Sequence, residues 1–235
     1  MAVTVRTQAS FTALVLVLAV ALVAIPLLAF DSALRFGLGI ALIAAMGAAS
    51  WRLRGARRVR VAVAVTGSIA ALAMGAQIFG AGSDWVVVAH ASIIAFVLLV
   101  GGNIVVAVWR TSEVTLDTIV GGVAVYLLLA VAWSSAYQLL EFVAPGSFVA
   151  LAGEVGHWGP WQTSPGTYPR LFFFSFVTLT TLGYGDIIPA SVPAAGLAVS
   201  EAVTGPLYLA VMIARLVGLH TSSRNTQTGG SEPRG

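Results

Sequence analysis

The sequence predicts an all-α membrane protein, with six transmembrane helices and a re-entrant helix and loop between the fifth and the sixth. Three observations predict it. Of 235 residues, 58% are hydrophobic and only 9% are charged, whereas a soluble domain carries about 25% charged residues. The apolar residues also fall into long runs, and a helix needs about 20 such residues to cross the hydrocarbon core. Finally, one further apolar run, residues 171–182, is too short to span and sits inside the last long connection. Irregular backbone is tolerated at membrane depth only where protein or a water-filled path shelters it. A soluble globular domain is excluded, because one small core cannot hide this much apolar surface.

The six spans are expected at residues 10–30, 32–50, 59–79, 85–108, 116–142 and 192–218. The first is too long for a signal-peptide core and has no clear cleavage site, so it reads as a retained helix. The second is shorter and rich in Gly and Ala. Gly37, Gly39 and Gly47 in it, with Gly67 and Gly75 in the third, fit close helix packing. The first four connections are short. The fifth, residues 143–191, is long and holds the short apolar run. Ser112 and Thr115 are both placed to cap the fifth span.

Charge gives orientation. Arg6, Arg52, Arg54, Arg57, Arg58, Arg60, Arg110, Arg215, Arg224 and Arg234 fall on one side, and only Arg35 and Arg170 on the other. The positive-inside rule then places both termini in the cytoplasm and the long loop outside. Residues 221–235 read as a disordered cytoplasmic tail. All 12 basic residues are arginine and cysteine is absent. The first fits a multi-pass protein of a prokaryotic cell membrane; the second rules out disulfides and thiolate metal sites. The net charge of +3 does not indicate nucleic acid, because the arginines lie between apolar segments. They mark topology or meet anionic lipid among the surrounding membrane lipids. No nucleophile, base and orienter set stands out, nor any metal-ligand spacing, so neither an enzyme nor a cofactor is expected.

Within the long connection runs Thr178-Leu179-Thr180-Thr181-Leu182-Gly183-Tyr184-Gly185-Asp186, followed by Ile188-Pro189. This run, after a short apolar helix and between two long spans, resembles the signature of tetrameric potassium channels, with Leu182 in place of the more usual valine. The resemblance covers somewhat under half the chain. It implies a potassium-selective channel that conducts potassium ions passively through a four-fold symmetric homotetramer, with three further copies of the chain as partners. Residues 1–109 then form a four-helix domain resembling a degenerate voltage-sensor-like domain. Residues 110–220 form a pore domain with pore helix 169–181, filter 181–185 and inner helix. The pore helix starts near Pro169, since proline suits a first helical turn.

A permeating potassium ion sheds its water, and rings of backbone carbonyls replace it. The resemblance assigns those carbonyls to Thr181, Leu182, Gly183 and Tyr184, with the Thr181 hydroxyl as the innermost ring. Gly183 and Gly185 permit the dihedrals that aim successive carbonyls inward. Tyr184 should point away from the axis and pack on the pore helix. Thr180, Asp186, Phe173, Phe174, Val177 and Glu201 are the expected filter supports. Phe173 and Phe174 occupy positions where many members carry two tryptophans that hydrogen-bond the filter tyrosine and aspartate. Phenylalanine has no such donor, so inactivation is expected to differ from the usual pattern. Val177 stands where some prokaryotic members place a glutamate.

Gly205 and Pro206 lie mid-way along the sixth span. Proline kinks a helix, and Gly205 matches the family's gating hinge; close packing on a small residue is the competing reading. Met212, Ile213 and Leu216 are candidates for a cytoplasmic constriction. Glu201, ionisable within a span, reads as a buried support bonded to filter backbone or to Thr180, or as a cavity charge. The fourth span carries no arginine, so strong voltage gating is not expected. In the loop before the pore helix, His157, Trp158 and Trp161 read as interfacial aromatics beside a histidine able to titrate. Three alternatives stay open: a poorly selective cation channel, a transporter subunit, and a non-conducting sensor or regulatory subunit. The single filter motif argues against the transporter, since that class usually carries four repeats.

Overall fold

The computed structural model describes residues 12, 15–20, 32–52, 56–79, 82–111, 115–150 and 167–228. Eight elements follow the segment 15–20 in chain order, beginning with three helices: α1 (Ser32–Arg52), α2 (Arg57–Ile78) and α3 (Asp84–Arg110). Then come α4 (Leu116–Val143), strand β1 (Phe148–Ala150), helix α5 (Thr167–Leu179), strand β2 (Ile187–Pro189) and finally α6 (Val192–Thr228).

Helices satisfy their backbone groups internally, which lipid demands. Their ends follow charge and caps. α3 opens on Asp84 and closes on Arg110, the favourable signs for the two ends of a helix dipole. α4 is capped by Thr115, whose hydroxyl accepts the Thr118 N–H at 3.2 Å. Four described helices are long and apolar enough to cross a membrane: Arg57–Gln77, Asp84–Arg110, Leu116–Val143 and Val192–Leu219. The expected second span forms a helix, but its apolar stretch is only Phe36–Trp51. The expected first span lies mostly outside the described residues, as do His157, Trp158 and Trp161.

α3 packs along both α2 and α4, α1 lies on α2, and α5 is held between α4 and α6. One apolar cluster joins Val63 of α2, Phe96, Val100 and Ile104 of α3, Val125 and Leu128 of α4, and Met212 of α6. The fourth expected span therefore packs beside the α4 of its own chain. Asn103 ties α3 to α1 by donating to the Ser50 hydroxyl at 3.0 Å. The glycines divide. A Cβ at Gly39 would meet Met74, one at Gly67 would meet Phe96, and one at Gly75 would touch Phe36, whereas Gly37 and Gly47 face open space.

Three boundaries differ from expectation. The short helix runs Thr167–Leu179 rather than 169–181, because Thr181 takes a positive φ of 58° that no α-helix accommodates. The last helix continues to Thr228, through residues expected to be a disordered tail. Gly218 does not stop it, and no further Gly or Pro occurs before Gly229. A two-stranded antiparallel sheet, β1 with β2, adds a small β element to a fold expected to be all helical.

Candidate functional site

The segment after α5 has an alternating backbone. Thr181 (φ 58°), Gly183 (58°) and Gly185 (75°) are left-handed, while Leu182 and Tyr184 between them are not. Alternation of this kind gathers N–H groups on one side. The Leu182 and Gly183 N–H groups both point back to the Val177 carbonyl, at 2.9 and 3.3 Å. No peptide here is cis, and in a planar trans peptide the C=O points opposite to the N–H. The Thr181 and Leu182 carbonyls therefore turn away from their own helix, towards the exposed side of residues 180–185. Glycine accepts such dihedrals freely. Threonine does not, and a left-handed L-residue costs about 1–2 kcal/mol. Thr181 is the conformational outlier that residue identity gave no sign of.

Phe173 and Phe174 do different work. The Phe173 ring stacks on Tyr184, with centroids 6.0 Å apart and planes within 6°. Phe174 faces the other way, edge-on to Tyr137 at 5.2 Å and to Phe148 at 5.5 Å. Only Phe173 touches the segment, and it offers a ring face in place of a hydrogen bond. Thr180 is bound locally, its hydroxyl donating to the Phe176 carbonyl at 2.7 Å. Asp186 ends the segment and leads directly into β2.

Glu201 is fully buried, but its partners are neither Thr180 nor filter backbone. Its Oε1 lies 2.5 Å from the Ser175 hydroxyl of α5, and the Tyr137 hydroxyl of α4 donates to Oε2. Ser175 also reaches the Ala130 carbonyl of α4 at 2.8 Å. The carboxyl group thus joins three helices at the middle of α5. Neither Ser175 nor Tyr137 was foreseen; a polar residue inside an apolar helix was the available signal. Glu201→Gln is expected to preserve this junction, since Ser175 can donate to Ala130 and accept from the new amide. Glu201→Leu leaves Ser175 its bond to Ala130 but strands the buried Tyr137 hydroxyl at about 1–3 kcal/mol, and a lower melting temperature of the protein in detergent would show it.

The C-terminal end of α5 is gripped from both sides. The Tyr126 hydroxyl donates to the Leu179 carbonyl at 3.0 Å, and a Cβ at Gly205 would collide with that same oxygen. Tyr126 stacks on Tyr208, whose hydroxyl donates to the Gly122 carbonyl at 2.8 Å. Pro206 lies inside a helix that continues past it. Met212 is buried against Gly122 of α4, which takes it off the exposed face. Leu216 is half-buried and Ile213 is exposed.

Arg215, expected as a topology marker, has a defined structural partner. Its guanidinium donates to the carbonyls of Val108, Trp109 and Thr111 at 3.1, 2.6 and 3.2 Å and lies over the Trp109 ring at 5.1 Å. A cation is favoured at a helix C-terminus, so α6 is pinned to the end of α3.

Residues 113–221 match a family model described as an ion channel. That stretch contains α4, β1, α5, the alternating segment, β2 and most of α6, and the match supports an ion channel built on these elements in a membrane. Comparisons with curated proteins and with solved structures found no match.

Proposed function

We propose that four copies of this chain surround a potassium-selective pore, with the Thr181, Leu182, Gly183 and Tyr184 carbonyls as successive ion ligands. The carrying observation is the alternating backbone at 181–185, in which the Leu182 and Gly183 N–H groups are turned onto Val177 and the Thr181 and Leu182 carbonyls are turned outward. One chain offers a single strand of oxygens, and an ion needs a ring of them, hence the tetramer. In this reading α5 is the pore helix, Gly205 and Pro206 lie at the bend of the inner helix, and the termini are cytoplasmic with the filter outside. Potassium ions are the permeant ligand and the channel needs no cofactor. α3 has no arginine before Arg110, and each charge moved through the field is worth about 2.3 kcal/mol per 100 mV; conduction should respond weakly to voltage. Arg57, Arg58 and Arg60 meet anionic lipid heads, with the Arg60 guanidinium 5.4 Å from the Trp51 ring centre.

Purified protein in liposomes tests this reading, with potassium and sodium fluxes compared under opposed gradients. Reversal near the potassium equilibrium potential is expected. Equal permeation would favour the second reading, a poorly selective cation channel. The specific observation behind that reading is that Phe173 meets Tyr184 without a hydrogen bond between the two rings.

A further inference from the structure

We infer that Glu141 is a positioning residue that fixes the outer end of the 181–185 segment through the β1–β2 pair. This inference rests on the channel reading. Glu141 sits in the last turn of α4, where the helix dipole disfavours a negative charge, so its place calls for another reason. Its Oε1 accepts the Gly146 N–H at 2.8 Å and its Oε2 the Phe148 N–H at 3.0 Å. Both carboxylate oxygens are thus spent on the turn that leads into β1.

The strand register explains why that turn needs them. Phe148 pairs with Pro189, Val149 with Ile188 and Ala150 with Ile187. The Ala190 N–H donates to the Ser147 carbonyl at 2.8 Å, which extends the same register by one pair. In an antiparallel ladder, hydrogen-bonded and non-bonded pairs alternate. The bonded positions are then 147 with 190 and 149 with 188, and the Phe148–Pro189 pair is non-bonded. Pro189 loses nothing by lacking an N–H there. The Phe148 N–H points away from β2 and must find another acceptor, and Glu141 supplies it.

The consequence reaches the pore segment. β2 begins at Ile187, immediately after Asp186. The Ser147 carbonyl also accepts the Ser191 N–H at 3.3 Å, and the Ser191 hydroxyl accepts the Ala194 N–H at 3.3 Å at the start of α6. Phe148 is fully buried against Tyr137 and Phe174. A continuous tie runs from the end of α4, through Glu141 and β1, to the exit of the segment. It restrains that exit by hydrogen bonds, which the Phe173 ring against Tyr184 has no donor to supply.

The test compares wild type, Glu141→Gln and Glu141→Ala as reconstituted full chains. The readouts are the potassium-to-sodium flux ratio and the melting temperature in sodium buffer. Losing hydrogen bonds to a charged group is expected to lower the flux ratio about tenfold in the Ala variant, with a smaller drop in Gln, which keeps one acceptor oxygen. Ser147 and Phe148 are buried, so the sodium-buffer melting temperature should fall as well; a purely structural role would lower it and leave the ratio alone. If the Ala variant does not reconstitute, Glu141→Gln carries the comparison. A wild-type ratio in whichever variant is measured overturns the inference. A wild-type protein that itself shows no potassium preference overturns the channel's selectivity instead, before any variant is compared.

Discussion

Gly183→Ala is expected to abolish selective potassium flux in liposomes, leaving either no conduction or a potassium-to-sodium ratio near one. Gly183 holds φ at 58°, and a Cβ there would meet nothing of its own chain within 4 Å. The penalty is therefore one of backbone conformation. A left-handed L-residue costs about 1–2 kcal/mol, so the four chains of the proposed tetramer would together store about 4–8 kcal/mol. That is comparable to the whole stability of a typical domain, about 5–15 kcal/mol. The cheaper course is for residue 183 to return to negative φ, which swings a carbonyl out of line and breaks one ring of ligands. Gly102→Ala is the matched control. Gly102 is helical and faces open space, so alanine there should leave the flux ratio unchanged. A wild-type ratio in Gly183→Ala would remove residues 181–185 from the conduction path.

What was legible in the sequence, and what was not, follows from the range of each interaction. The spans at α2, α3 and α4 were legible because a helix in lipid announces itself by an unbroken apolar run. The short helix was legible by being too short. The two glycines after it were legible because only glycine takes such dihedrals freely, whereas Thr181 takes the same one without any local sign. Pairing was the least legible. Glu201 reads as a buried polar group, yet Ser175 and Tyr137 lie 26 and 64 residues away, and nothing local selects them over Thr180. Phe173 and Phe174 look like one motif until the helix turns them to opposite sides. β1 is a three-residue strand, too short to show an alternating pattern. Its role depends on a register that only the folded chain defines.

Gly205→Ala separates two readings of the inner helix, and its expected effect on assembly is large. If Gly205 serves only as a hinge, alanine stiffens a bend: the closed protein should form normally and open less often. The packing at Gly205 predicts a different result. A Cβ there would collide with the Leu179 carbonyl oxygen, with the carbonyl carbon 3.1 Å away. That oxygen also accepts the Tyr126 hydroxyl, so it is held in place and cannot swing aside as a side chain would. Either α6 moves off α5, loosening the Glu201–Ser175 junction one helical turn away, or the end of α5 shifts and takes Thr181 with it. Overpacking of this kind costs about 1–3 kcal/mol per chain, and all four chains of the proposed tetramer would bear it. Gly205→Ala is therefore expected to lower the melting temperature and the yield of the assembled protein in detergent, as well as the potassium flux. Gly122→Ala is the comparison, because the atom a Cβ there would collide with is the terminal methyl of Met212, the far end of a flexible side chain. Normal assembly of Gly205→Ala with reduced opening would favour the hinge; a loss of assembly that Gly122→Ala does not share would show that the small residue exists to let α6 seat against the end of α5.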